Sequence, residues 1–307
     1  MSIFGRPTFS AADYAAARPT YPASLYNKIV QFHGHAPRRN LLDLGCGHGL
    51  VSRAMSAYFD SVVGLDVAAN MVEQASSMTH NSKISYSQGH AEDLSWLADG
   101  SIDMVVSGQA AHWFDFNKAW PELARVTPSG ASLAFWGYRD PILIGHPRAS
   151  FLLDYFLYGH DDVVAPGLEG MGAYWEQPGR DRVRRLMRDQ EPPAGDWQDV
   201  QRIEHDIKLT AEQGTGGETI DSAWLRRRMR LGELEAYLRT QSAYRGWKDA
   251  HTDIKSKAEG AEPGDVIDVL MSRIVDSEGE WKALGQGWTE AEVSVVWGSY
   301  ILIARRR

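Results

Sequence analysis

The spacing of apolar residues changes along this chain. Leu41, Leu42 and Leu44 make a short apolar run, interrupted only by Asp43, that stops at Gly45, as a buried parallel strand does. Behind it, Leu50, Val51, Ala54, Met55 and Tyr58 fall at helical spacing. The alternation then repeats. "SVVGLD" (61–66) predicts a second strand, 68–78 is helix-compatible, and 83–89 and 102–108 predict the third and fourth strands. Residues 116–127 predict a helix in which Pro121 either kinks the helix or sits near its start. "PSG" then turns the chain into a fifth strand at 131–137. Strands separated by helices imply an α/β fold with a doubly wound parallel sheet.

The second half loses this rhythm. Residues 140–290 carry most of the tryptophans, several Pro and Gly breaks, and amphipathic helix patterns. In one of them, 223–240, Trp224, Leu231, Leu234 and Leu238 share a face, while Arg226, Arg227, Arg228 and Arg230 read as a solvated face, with an anion site as the alternative. Val293 to Ile303 is too apolar and β-branched for a tail and predicts a terminal strand.

Composition narrows the class. A chain of 307 residues, 43% hydrophobic, suits one large domain or a domain with a cap. A net charge of −8 argues against a nucleic-acid partner. The single cysteine, Cys46, allows no internal disulfide. The start "MSIFGRPTFS" does not read as a signal peptide, and stretches such as 151–158 fall far short of the roughly 20 apolar residues of a membrane helix. The expectation is a cytoplasmic protein with no membrane partner and no metal.

The candidate chemistry begins at "NLLDLGCGHGL" (40–50), where Gly45, Gly47 and Gly49 alternate with Cys46 and His48. Glycine costs about 0.5–1 kcal/mol relative to alanine inside regular structure, so this turn needs bare backbone. A strand-to-helix turn lets a ligand approach the main chain. The spacing is G-x-G-x-G, one residue short of the dinucleotide fingerprint, which disfavours a nicotinamide-dependent dehydrogenase. Asp66 ends the second strand, where a carboxylate can accept both ribose hydroxyls. Asp43 stands two residues before the first glycine.

Together these features resemble the class I S-adenosylmethionine (SAM) methyltransferases. "QGHAEDLSW" (88–96) resembles their adenine-packing segment. "FSAADYAAARPTYP" (9–22), "VVSGQAAHWFD" (105–115), "LAFWGY" (133–138), "YWEQPGR" (174–180) and "YLRTQSAYRGWKDAH" (237–251) resemble the fungal trans-aconitate methyltransferase-like branch.

The resemblance implies a Rossmann-like, seven-stranded sheet with a helical cap inserted toward the C-terminus. Residues 1–140 would be the SAM domain with an N-terminal lid (1–35). Residues 141–290 would be the cap, with one sheet strand near 201–209, and 291–307 the strand that returns antiparallel beside the fifth. SAM is the implied cofactor and S-adenosylhomocysteine its product. Tyr14, Asp43, Gly45, Cys46, Gly47, Gly49, Asp66, Ala91, Glu92, Ser107 and Gln109 would contact the cofactor, with His90 an alternative to Glu92 at the base. Tyr21, Trp113, Trp136, Trp175, Arg180 and Arg239 would line the acceptor site, with His112 and Tyr138 as catalytic candidates.

Several of these residues also have plainer readings. Gln109 serves as well to stabilise its loop, and Trp175, Trp224, Tyr237 and Trp247 suit a cap core. Arg180 and Arg239 either hold an acceptor carboxylate or form ordinary ion pairs. His112 either acts on the acceptor or orients its own loop. As a base for a hydroxyl it would make activity rise with pH through a pKa near ~6.5, shifted by its surroundings. A carboxylate acceptor needs no base and gives a nearly flat profile. The expected activity is O-methylation of a small organic acid or specialised metabolite. The alternatives are a hydroxyl, nitrogen or sulfur acceptor, a SAM-binding scaffold for cyclisation or rearrangement, and a non-catalytic binding protein.

Overall fold

The computed structural model describes residues 17–159, 168–207, 209–210, 214–215 and 223–307. Helix α1 (Ala23–His33) precedes β1 (Asn40–Leu44), the strand that ends at the glycine turn. There follow α2 (Leu50–Met55), β2 (Ser61–Asp66), α3 (Ala69–Ser77), β3 (Ile84–Gln88) and β4 (Met104–Gly108). After β4 come a single 3-10 turn (Ala111–Trp113), α4 (Phe116–Val126) and β5 (Ser132–Leu143). Pro121 lies inside α4, which starts where the Asp115 side chain accepts the Asn117 N–H at 3.2 Å.

These strands pair in parallel in the order β3-β2-β1-β4-β5. Alternate residues serve opposite faces, as strand pleating requires. Leu41, Met104, Val106 and Ala134 pack under α1 and α2 with Ile29, Val51 and Met55. Leu42, Leu44, Val105, Leu133 and Phe135 pack on the other side with Phe116 and Leu123 of α4.

The cap begins with α5 (Pro147–Tyr158) and the short α6 (Gly179–Arg184), and the chain then re-enters the sheet as β6 (Trp197–His205). β7 (Arg226–Arg230) leads directly into α7 (Leu231–Arg239), followed by α8 (Ser242–Ala250), α9 (Val266–Ser277) and α10 (Gly279–Lys282). β8 (Glu292–Arg306) closes the chain between β5 and β6, antiparallel to both. Its first residues also pair with β7, which makes the sheet eight-stranded. The strand read near 201–209 thus spans 197–205.

One helix reading needs correction. The pattern of 223–240 is helical only from Leu231 onward. Upstream, Met229 alone of the run 226–230 is buried, and the segment is extended against Glu292–Val296. Its arginines are exposed and held by acids: Arg228 by Glu292, Arg227 by Glu233 at 2.8 Å and Arg230 by Glu290 at 3.1 Å. A cationic edge of this kind resists pairing with another chain. The cap has its own apolar core, which includes Leu153, Phe156, Leu234, Trp247, Leu270 and Trp297. Among the described residues no helix is long and apolar enough to cross a membrane, and no cluster of ligands could hold a metal.

Candidate active site

A cavity of about 600 Å³ opens at the carboxyl ends of the parallel strands, where open α/β sheets bind ligands. One wall is the glycine turn. Gly45 and Cys46 both donate their N–H to the Leu65 carbonyl, at 2.7 and 3.0 Å. The Gly47 N–H donates to Asp66 Oδ2 at 2.8 Å, which ties the turn to the end of β2. The glycines divide the work. A Cβ on Gly45 would strike Ala110, and one on Gly49 would strike the Tyr86 phenol, whereas Gly47 faces open space. All three have positive φ.

Asp66 lines the same wall and also accepts the Ala68 N–H at 2.9 Å. Burial raises its carboxyl above the usual range. An ionised carboxylate offers about four acceptor positions, more than these backbone donors fill, which leaves room for a ligand hydroxyl. His90, Ala91 and Glu92 continue the wall beyond β3, and Glu92 accepts the Asp115 N–H at 2.7 Å.

The opposite wall mixes aromatic and cationic side chains. Tyr21, Trp113, Tyr138, Trp175 and Tyr237 line it together with Arg18, Arg139 and Arg180. Arg180 is buried. It donates to both oxygens of Asp140 at 2.6 Å and stacks 3.8 Å from the centre of the Trp175 ring, while its Nε has no partner. Arg18 donates to the Thr240 carbonyl at 3.2 Å and lies 5.0 Å over Tyr237. The Arg139 guanidinium pairs with Asp206 at 3.0 Å.

His112 sits between the two walls on its 3-10 turn, 7% exposed. Burial pushes its pKa down to about 3, with Arg180, Arg182 and Arg18 adding to the effect. The imidazole is therefore neutral throughout the neutral range.

A methyltransferase-domain family model matches residues 42–135. A probable S-adenosylmethionine-dependent methyltransferase of Saccharomyces cerevisiae is 35% identical over 155 residues, 49% of this chain and 52% of that protein. A malonyl-[acyl-carrier protein] O-methyltransferase of Brevibacillus brevis is 30% identical over 144 residues, 44% of this chain and 50% of that one. The matched part spans about half the length of these curated relatives. Among solved structures, a candidate type II methyltransferase from Anaeromyxobacter dehalogenans aligns with a TM-score of 0.62 over 94% of this chain and 97% of that one. At 23% identity this likeness speaks for the fold. Residues 42–135 form a class I methyltransferase domain. The open Gly47, the Asp66 carboxylate and the cavity around them fit S-adenosylmethionine, the cofactor that the Saccharomyces relative's name gives for that protein.

The methyltransferase domain does not bring every expected residue to this cavity. Asp43 lies fully buried beneath the turn, accepting the Ser52 hydroxyl at 2.5 Å, and burial raises its carboxyl to about 7. Ser107 is buried and donates to the Leu44 carbonyl at 2.8 Å, so its hydroxyl is used inside the sheet. Gly49 packs against Tyr86 and caps α2 rather than facing ligand. Trp136 is core, edge-on to Tyr21 and Tyr26. Arg239 lies outside the cavity, held by Glu235, Asp265 and Asp268 at 2.7–2.8 Å. Tyr14 lies outside the described residues.

Gln109 reaches the cavity, but its side chain is engaged elsewhere. The β4–β5 ladder ends at Gly108 and Trp136, and Gln109 turns away with a φ of 57°. Its amide then supplies the next rung. Nε2 donates to the Tyr138 carbonyl at 2.8 Å, and Oε1 accepts the Tyr138 N–H at 2.6 Å. Arg18 falls within the segment read as a lid (1–35), and sequence reasoning passed over Arg139, Asp140 and Arg182. Only the run of arginines near 180 hinted at them.

Proposed function

We propose that this chain is a SAM-dependent methyltransferase that O-methylates a carboxylate of a small organic acid or specialised metabolite, leaving S-adenosylhomocysteine. When bound, SAM supplies an electrophilic methyl group on a sulfonium. The protein's share is alignment and exclusion of water. Asp66 accepts the ribose hydroxyls, the backbone of Gly45 to Gly47 and the Ala91 segment bed the cofactor, and the aromatic wall closes over the acceptor.

The acid reading rests on the charge of the acceptor wall. Three arginines face it, Arg180 paired with Asp140 and Arg139 with Asp206, which leaves a net positive wall, and the histidine beside them is neutral with a pKa of about 3. A base that weak is badly matched to a phenol of pKa ~10, whereas a carboxylic acid near ~4 arrives already ionised. Arg180 and Arg18 then supply counter-charge, and His112 orients the acceptor by a hydrogen bond. The Brevibacillus relative supports this reading, since a malonyl group presents a free carboxylate.

In the same proposal residues 1–140 form the cofactor part, 141–290 the acceptor cap and 291–307 the strand that completes the sheet. The segments 9–22, 133–138, 174–180 and 237–251 support membership of the trans-aconitate methyltransferase-like branch. The test is incubation with methyl-labelled SAM and a panel of carboxylic acids, phenols, thiols and amines. Label on an acid as a base-labile ester is expected. Label only on the other classes overturns the acid reading, and S-adenosylhomocysteine binding without any transfer points to a scaffold.

A further inference from the structure

The turn that carries His112 is too short to hold itself. Its three residues close two backbone hydrogen bonds, Trp113 N–H to Ala110 O at 3.0 Å and Phe114 N–H to Ala111 O at 3.1 Å. Such 3-10 pieces have poor hydrogen-bond geometry and rely on outside support. Gln109 supports it from the sheet and Glu92 from the loop after β3. The third support comes from the cap. Arg182 donates from one guanidinium nitrogen to the His112 carbonyl at 3.1 Å and to the Phe114 carbonyl at 2.8 Å. Both bonds have a charged donor, the stronger kind.

The same six-residue helix makes two other contacts there. Gly179, its first residue, seats the Trp113 indole so closely that a Cβ would come within 2.6 Å of the ring. Arg180, two residues before Arg182, enters the cavity. One helix thus grips the turn from behind and faces the acceptor in front.

We propose that Arg182 is a positioning residue: by bridging the carbonyls on either side of Trp113, it sets the His112 imidazole against the acceptor and ties that setting to the cap. The part played by the acceptor rests on the methyltransferase reading above. The grip on the turn does not.

The full-length chain is tested as Arg182→Gln and Arg182→Lys. Hydrogen exchange in a peptide covering 109–116 should speed up about tenfold or more in Arg182→Gln, while β1 and the glycine turn keep their protection. The His112 ring resonance in 13C-histidine-labelled protein should move. Arg182→Lys should recover part of both, because an ammonium retains the charge but not the planar spread of donors. S-adenosylhomocysteine affinity should change by less than about threefold. With a methyl acceptor in hand, kcat should fall while KM for SAM holds. Unchanged exchange and an unmoved His112 resonance in Arg182→Gln overturn the proposal. If the unaltered protein fails to bind S-adenosylhomocysteine, the methyltransferase reading falls, and the exchange and resonance measurements still decide the role of Arg182.

Discussion

The two walls of the cavity are built by different means. The wall around the glycine turn is taken from segments that follow β1, β2 and β3 in close succession. Asp66 holds that turn through Gly47 and Ala68. The opposite wall is gathered from residues as far apart as Arg18, His112, Tyr138, Arg180 and Tyr237. The first wall is set by local turn geometry and tolerates little change. The second depends on long-range pairs such as Arg180 with Asp140 and Arg139 with Asp206.

The sharpest way to break this contrast is at Asp66. Asp66→Ala should weaken S-adenosylhomocysteine by about 10²–10⁴-fold in calorimetry, from two charge-assisted hydrogen bonds of about 1.5–3 kcal/mol each. Unchanged affinity would remove the ribose assignment.

On the acceptor wall the cost should fall on folding. Arg180→Met strands a buried Asp140 and should lower unfolding free energy by about 3–5 kcal/mol. The hydroxyl of Tyr158, which also donates to Asp140, favours the lower figure. Adding Asp140→Asn should restore stability in a denaturant titration without restoring acceptor turnover. If the double variant regains activity, Arg180 is there for the ion pair alone.

His112 sharpens the comparison through pH. Its folded pKa of about 3 lies below the unfolded ~6.5, so the unfolded chain takes the proton first as pH falls. The stability it contributes is complete above ~6.5 and declines below it, by about 2 kcal/mol between about pH 6.5 and 5. His33, His48 and His205 are also shifted down by burial and add to the slope, so the measurement is the difference between the unaltered protein and His112→Gln. Turnover should stay nearly flat from about pH 6 to 9. His112→Gln should keep much of it with an acid acceptor; a loss of about 10²–10⁴-fold would mean a proton is being taken.

The smallest effect is expected at Ser107. Ser107→Ala should cost about 1 kcal/mol of stability from its bond to Leu44 and leave S-adenosylhomocysteine affinity alone. A clear loss of affinity would return Ser107 to the cofactor wall.

The five strands of the first half and the glycine turn were legible because each is encoded locally, by runs of apolar residues, by alternation and by glycine spacing. The run 226–230 was not. Its extended form depends on Glu292–Val296, a segment more than sixty residues later. Trp136 was read as pocket lining because, with Tyr138, it stands near the end of the predicted fifth strand. The two side chains share a strand face in principle, but Trp136 meets Tyr21 and Tyr26 while Tyr138 reaches the cavity.

By itself the sequence determined the alternating α/β order, the turn that brings bare backbone to a ligand, and the acid at the end of β2. These follow from dihedral preference and burial pattern within short windows. Only the tertiary structure decided which polar groups remain available. Ser107 is used by Leu44, Gln109 by the backbone of Tyr138, and Arg239 by three acids, whereas His112 is kept neutral by burial and by Arg180, Arg182 and Arg18. Whether a hydrogen-bonding group is free depends on partners that sequence distance does not reveal, because folding satisfies buried polar groups wherever a partner lies within reach.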